Sequence, residues 1–289
     1  MKKFTAIGLK STWGDKEIIK SRTKRGPGTS SPTPEELRVY EKFFKIAKGS
    51  NKKLKVLILG ATPEIRDLSI RLGAETIAVD VSPRLLLALT NVMEYKDDFN
   101  NKFMVGDWLE ADKFLQKNSF DIVMADVSLA NLPAENNKDM LKTINKLLTK
   151  DGYLITRNLV YDLPEKLRTV DEILIDFKKE GNTPLGLIFE LCLETELLKK
   201  GFNPKIREYN WAALTEVEDY VKKNLDIKNR AYFENLAKHA KVHKLAVFSK
   251  KGFHDIVKRY FYIKEIAVIK GIGHSRFAPI YFLKVKKLL

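Results

Sequence analysis

The sequence predicts an α/β fold: a doubly wound, mostly parallel sheet, a helical insertion after its fifth strand, and a C-terminal strand pair. Three observations carry this. Short apolar runs alternate with helix-period segments from Leu54 to Arg157, which argues for right-handed βαβ crossovers and a parallel sheet. After residue 158 the alternation stops and four amphipathic helix patterns follow one another. Near the C-terminus two β-rich runs flank a loop containing Gly271 and Gly273, the signal of a hairpin.

Taken in order, residues 1–50 read as an N-terminal arm and a capping helix. Residues 1–33 are polar, with Trp13 as the one large anchor and a Gly26-Pro27-Gly28-Thr29-Ser30-Ser31-Pro32 linker that excludes regular structure. Thr33-Pro34-Glu35-Glu36 supplies an N-cap, a proline at the first helical position and a capping-box carboxylate, so a helix runs to about Lys48.

Residues 51–158 read as a nucleotide-binding core. Val56 to Leu59 form an uninterrupted apolar run, as expected of a strand covered on both faces. Gly60 ends it. Thr62 then stands as an N-cap, Pro63 suits the first helical position, and Glu64 favours the positive end of the helix dipole. Roughly twenty positions after Gly60, Asp80 closes the second apolar run, Thr76 to Asp80. A strand, glycine turn, helix and strand ending in a carboxylate form the βαβ unit that binds an adenosine-containing cofactor, the acid accepting from ribose hydroxyls. Nicotinamide cofactors ask for G-x-G-x-x-G, to bring backbone against a pyrophosphate. Here the second and third glycine places hold Thr62 and Ile65. S-adenosylmethionine has no phosphates and makes no such demand.

Further strands are expected near 102–105, 120–125 and 152–157, with helices near 63–72, 83–95, 110–117 and 136–148. Gly60, Asp80, Asp107 and Asp126 all fall at the carboxyl ends of predicted strands, where α/β sheets bind ligands. In this order the segments Val56 to Glu64, Thr76 to Asp80, Gly106-Asp107-Trp108, Phe120 to Val127 and Leu147 to Ile155 resemble the class I S-adenosylmethionine-dependent methyltransferases.

The resemblance covers roughly residues 54–158, about one nucleotide-binding core. It implies that the C-terminal pair completes a seven-stranded sheet. It also implies a cofactor site built from Gly60, Ala61, Thr62, Glu64, Asp80, Val81, Ser82, Asp107, Trp108 and Asp126, with Asp107 toward the adenine and Trp108 packed on the ring. Asp126 would face the transferred methyl, as a proton acceptor or to orient the acceptor, and His274 joins it as a catalytic candidate. The family commonly has an acid two residues before the first glycine, to hold the methionine ammonium; this chain has Ile58 there, and Glu64 is the substitute proposed from sequence. The arm either lies across the site, as in many members of the family, or is a floppy tail, with Trp13 and Arg25 the residues that separate the two.

Residues 159–250 read as the helical insertion, a substrate lid or else a helical layer that shields the sheet or forms a dimer interface, with helices at Leu163 to Lys179, Pro184 to Lys200, Ala213 to Leu225 and Asn229 to His243. Residues 251–289 carry the strand pair, with Asn203 to Tyr209 as a competing sixth strand. The hairpin loop would return to the active-site edge and turn His274 and Arg276 toward substrate.

Composition limits the remaining classes. The 289 residues are 44% hydrophobic and 31% charged, with a single cysteine, Cys192. That excludes an internal disulfide, and no apolar run reaches the ~18 residues of a membrane span. A cytoplasmic protein is expected. The net charge of +15 leaves room for a polyanionic partner such as RNA, but the lysines are spread along nearly every helix, and a solvated surface accounts better for that pattern. No metal motif is present; His239 and His243 lack a third ligand in sequence. The reading is therefore a methyltransferase using S-adenosylmethionine on a small-molecule N, O or C acceptor. An RNA methyltransferase, an NAD(P)-dependent oxidoreductase and a non-catalytic nucleotide-binding protein are the alternatives.

Overall fold

The computed structural model describes residues 16–23, 31–49, 53–180, 183–240 and 244–287. Trp13, Arg25, most of the linker, His243 and the side chain of His239 lie outside the described residues. The main sheet contains β1 (Lys55–Leu59), β2 (Glu75–Asp80), β3 (Asn101–Val105), β4 (Phe120–Asp126), β5 (Leu148–Arg157), β9 (Phe261–Ala267) and β10 (Ile280–Val285). Its order is β3-β2-β1-β4-β5-β10-β9. The first five strands pair in parallel, and β10 runs antiparallel to both β5 and β9. This is the expected doubly wound, seven-stranded sheet, with β10 the reversed strand and β9 restored to the direction of the first five.

Strand residues alternate between two cores, which is why the strands read as continuous apolar runs. Val56 and Ile58 of β1, Ile122 and Met124 of β4, and Ile280 and Phe282 of β10 face a layer built from α2 (Pro34–Lys48), α3 (Pro63–Arg71) and α4 (Pro83–Thr90). Leu57, Leu59, Val123, Ala125, Tyr281 and Leu283 face the other layer, α6 (Asn137–Leu147) and α12 (Lys250–Val257). On the first face Phe282 is stacked between Phe43 of α2 and Tyr153 of β5, at centroid distances of 4.9 and 4.6 Å. That stack fastens the N-terminal helix to the C-terminal strand. A short helix α1 (Lys16–Thr23) packs on α4.

Several expected boundaries move, each for a local reason. The helix after β2 stops at Thr90 rather than near 95 because the Asp67 carboxylate accepts from the N–H groups of Glu94 and Tyr95 and turns the chain. The helix after β3 shrinks to a 3-10 turn at Trp108–Glu110 and α5 (Ala111–Phe114). In the insertion α7 begins at Val170, not Leu163. Thr169 and Glu172 form a reciprocal cap there, a T-x-x-E signature that was legible in the sequence. The helix expected over 184–200 breaks into α8 (Pro184–Glu194) and α9 (Leu197–Gly201), because Thr195 is extended and its hydroxyl accepts from Leu197 N–H. The helix expected over 213–225 is a 3-10 turn at Trp211–Glu216 followed by α10 (Glu218–Asn224), and α11 spans Ile227–Ala240.

The stretch 203–209 does not join the main sheet. It forms β6 (Phe202–Asn203) and β7 (Glu208–Asn210), which with β8 (Lys244–Ala246) make a small antiparallel sheet. The insertion has a core of its own around Leu187, Leu191, Cys192, Trp211 and Phe233, shared with Ala130, Leu159, Phe277 and Ala278. Through those shared residues it sits on the segments that follow β4 and β5 and precede β10.

Replacing Phe282 by alanine removes the middle ring of the stack. The variant should lose ~3–5 kcal/mol of stability in urea denaturation, well above an exposed control such as Tyr262→Ala.

Candidate functional site

The carboxyl ends of β1, β2, β3 and β4 border a crevice lined by Leu59, Gly60, Ala61, Thr62, Asp80, Val81, Leu85, Leu89, Asp107, Trp108, Asp126, Ser128, Asn131 and Leu132. Gly60 has φ 117°, a conformation that L side chains rarely adopt, and its N–H donates to Val79 O at 2.8 Å. The turn therefore presents bare backbone to the crevice. Thr62 lines the crevice but makes no side-chain cap to α3; Pro63 opens that helix alone. Asp80, at the tip of β2, accepts from Ser82 N–H at 2.8 Å, while Ser82 turns its hydroxyl inward to cap α4. Asp107 accepts from Leu109 N–H at 2.9 Å and starts the 3-10 turn that carries Trp108.

Of the ten residues expected to hold a cofactor, Gly60, Ala61, Thr62, Asp80, Val81, Asp107, Trp108 and Asp126 come together on these walls. Glu64 and Ser82 are not among them: the first lies on the opening turn of α3, and the second is consumed as a helix cap. Sequence reasoning missed Ser128 and Asn131. Ser128 donates to Leu59 O at 2.6 Å and Asn131 to Val127 O at 3.1 Å. Between β4 and Ser128, Val127 is left-handed at φ 59°, a costly conformation for a β-branched residue and of the kind that clusters at functional sites. No sequence signal marks it, because valine is the last residue expected there.

Asp126 and His274, the two catalytic candidates, belong to one buried polar cluster. Arg157 at the tip of β5 donates to Asp126 through Nε to Oδ1 at 2.7 Å and Nη2 to Oδ2 at 3.1 Å, and through Nη1 to Glu36 Oε1 at 2.7 Å. Tyr40 OH donates to Asp126 Oδ1 at 2.9 Å. His274 is buried rather than turned to substrate, because its ring bridges two elements: Nε2 lies 3.0 Å from Glu36 Oε1 and Nδ1 lies 3.1 Å from Thr183 Oγ1. Thr183 also accepts from Gly186 N–H as the cap of α8. Arg276 likewise does not reach toward a substrate; it pairs with Glu194 at 2.6 Å and Glu190 at 3.0 Å and ties the hairpin loop to α8.

Burial opposes ionisation of Glu36, but the Arg157 guanidinium and the contacts from His274 and Thr33 N–H outweigh it, taking the carboxyl from 4.5 to about 2. Burial, with the neighbouring Asp126 carboxylate, holds the Tyr40 phenol well above its ordinary 10, so it stays a hydrogen-bond donor.

The residues present fit an adenosyl cofactor: bare backbone at Gly60 and carboxylates at the tips of adjacent strands. The free space does not yet accommodate one. It is about 60 Å³, against roughly 300–1,000 Å³ for pockets that hold a cofactor-sized ligand. Trp108 takes up the room. Its Nε1 donates to Val79 O at 2.7 Å, and its six-membered ring stands 3.9 Å from where a Cβ on Gly60 would be. A nucleoside bound in front of Gly60 would meet this indole.

Two outcomes follow from this geometry. In a Trp13→Phe background, binding of S-adenosylhomocysteine should change the intrinsic tryptophan fluorescence, and Trp108→Phe should remove most of that change, since the remaining Trp211 is buried in the insertion core. The lowered Glu36 pKa means stability that is fully present above pH 4.5 and is lost as pH falls toward 2. Urea denaturation between pH 5 and 2 should show that loss in the parent chain and a smaller one in Glu36→Gln.

Comparison with known proteins agrees with this architecture. A family model described as "Methyltransferase domain" matches residues 62–226, more than half of the chain. No curated protein matches the sequence. Among solved structures, a provisionally assigned Zn-dependent alcohol dehydrogenase from Rhodobacter sphaeroides has a TM-score of 0.62 at 15% identity, covering 96% of this chain and 99% of that one. The CcbJ methyltransferase of Streptomyces caelestis has a TM-score of 0.57 at 12% identity, covering 96% and 98%. The N-methyltransferase NodS of Bradyrhizobium japonicum, solved with S-adenosylhomocysteine, has a TM-score of 0.51 at 10% identity, covering 97% and 98%. At these identities the likenesses establish the fold alone. The family match, and a crevice at the expected sheet edge, make this chain a member of the class I S-adenosylmethionine-dependent methyltransferases.

Proposed function

We propose that the chain transfers the methyl group of S-adenosylmethionine to a nucleophilic N, O or C atom of a small molecule, in the cytoplasm. The observation that carries this is the run of Asp107, Asp80, Gly60 and Asp126 along one sheet edge, at the tips of β3, β2, β1 and β4. Neighbouring strands lie ~4.8 Å apart, so the run spans roughly 15 Å. That length suits an extended nucleoside carrying an amino-acid tail.

In this reading Asp80 accepts from the ribose hydroxyls and Asp107 from the adenine amino group, and Trp108, once displaced, packs on the base. Gly60 lets the backbone meet the reacting sulfur without a side chain between. The cofactor supplies a methyl already activated on a sulfonium, so the protein's task is mainly to align donor and acceptor. Asp126 is poorly suited to abstract a proton, because Arg157 and Tyr40 already donate to its carboxylate. His274 acts as a fastener between α2 and α8. A small acceptor is favoured because the insertion shares its core with Ala130 and Leu159, on the segments that follow β4 and β5. That placement limits the approach of a bulky one. The net charge of +15 supports RNA as the second reading.

Asp80→Ala should abolish binding of S-adenosylmethionine by calorimetry while leaving the thermal transition of the unliganded protein close to that of the parent. Transfer of radiolabelled methyl into fractionated cell extract identifies the acceptor class. Label appearing in the small-molecule fraction supports the first reading; label recovered only in RNA supports the second.

A further inference from the structure

The amino-acid end of the cofactor carries an ammonium group, and an ammonium placed beside Leu59 and Leu132 is costly without an anion next to it. Strand β1 supplies none. Ile58, two residues before Gly60, is 1% exposed and packed into the core with α2 and α3. Glu64, the substitute expected from sequence, is not on the described walls. Among the described residues three carboxylates line the crevice, and two of them, Asp107 and Asp80, lie on the adenosine side of Gly60. The third, Asp126, lies on the far side, at the tip of β4.

We propose that Asp126 receives the ammonium of the cofactor's amino-acid end, with Arg157 and Tyr40 as positioning residues that hold its carboxylate at the crevice wall. The assignment rests on the reading of this crevice as an S-adenosylmethionine site.

The placement of the cluster supports it. Glu36 and Asp126 share the guanidinium of Arg157. Among the described residues Asp126 is the one member of the cluster on the crevice wall, so a cation arriving at this end of the crevice meets its carboxylate. The carboxylate also retains acceptor capacity: Arg157 and Tyr40 both use Oδ1, whereas Oδ2 takes Arg157 Nη2 alone among the described contacts. The bidentate contact and the Tyr40 hydroxyl fix the plane of the carboxylate, so its orientation is set before any ligand enters.

Two nucleosides separate this role from a general effect on the crevice. S-adenosylhomocysteine has the amino-acid end; 5′-methylthioadenosine keeps the adenosine and the thioether and lacks that end. By calorimetry on the full chain, Asp126→Asn should weaken S-adenosylhomocysteine roughly 10- to 100-fold and leave 5′-methylthioadenosine unchanged, which also reports an intact crevice. Tyr40→Phe keeps the ring and removes one positioning bond. It should show the same selectivity at roughly three- to tenfold, and it decides the matter if Asp126→Asn does not fold. Glu64→Gln should bind both nucleosides as the parent does. Equal loss of both nucleosides in Asp126→Asn, loss of neither, or a selective loss in Glu64→Gln overturns the assignment while leaving the cofactor reading in place. A parent chain that binds neither nucleoside overturns both.

Discussion

One guanidinium holds the functional edge of this protein together. Arg157, 1% exposed at the tip of β5, reaches Asp126 on β4 and Glu36 on α2, and through Glu36 the cluster reaches His274 in the hairpin loop and Thr183 at the start of α8. Five separate stretches of chain thus meet at one buried charge. A buried ion pair is weak evidence for net stability, because desolvation consumes much of the Coulombic gain. Its consequence here is geometric: the planar fork of arginine dictates where both carboxylates stand, and one of them faces the crevice.

The same edge explains how a chain without the usual glycine pattern can still form a nucleoside site. Only Gly60 has to be glycine, since its φ of 117° excludes a side chain. At Thr62 and Ile65 the backbone has no pyrophosphate to approach, so side chains are tolerated. Trp108 then fills the space left in front of Gly60 and bonds to Val79 O, the acceptor that also takes the Gly60 N–H. The strand tips around it are fixed by the sheet.

Much of this was legible in the chain. Continuous apolar runs at β1 and β4 announced strands buried on both faces, and Thr33 with Glu36 announced a capping box that the structure contains. Gly60, Asp80 and Asp107 come to one crevice at strand tips that the apolar runs locate along the chain. Ser128 and Asn131 were missed because their hydrogen bonds go to backbone carbonyls, for which a sequence carries no mark. The small sheet of β6, β7 and β8 was missed in part because strands this short leave hardly a period to detect. His274 and Arg276 fall at a loop tip by topology, but residue types do not say that the fold buries the His274 ring and engages the exposed Arg276 in ion pairs with α8.

What the sequence determined by itself is everything set by local chemistry: alternation of strand and helix, the glycine turn, the helix caps, and hence the class of fold and the edge where a ligand sits. What only the tertiary structure decided is the company each charged group keeps. Asp126, Glu36, Arg157 and His274 are far apart in the chain, and each alone has the look of an ordinary turn or cap residue. Their pairing arises when β10 slots beside β5 and brings the hairpin loop against α2. Hydrophobic periodicity is a local property and can be read along the chain, whereas electrostatic pairing depends on distance in space.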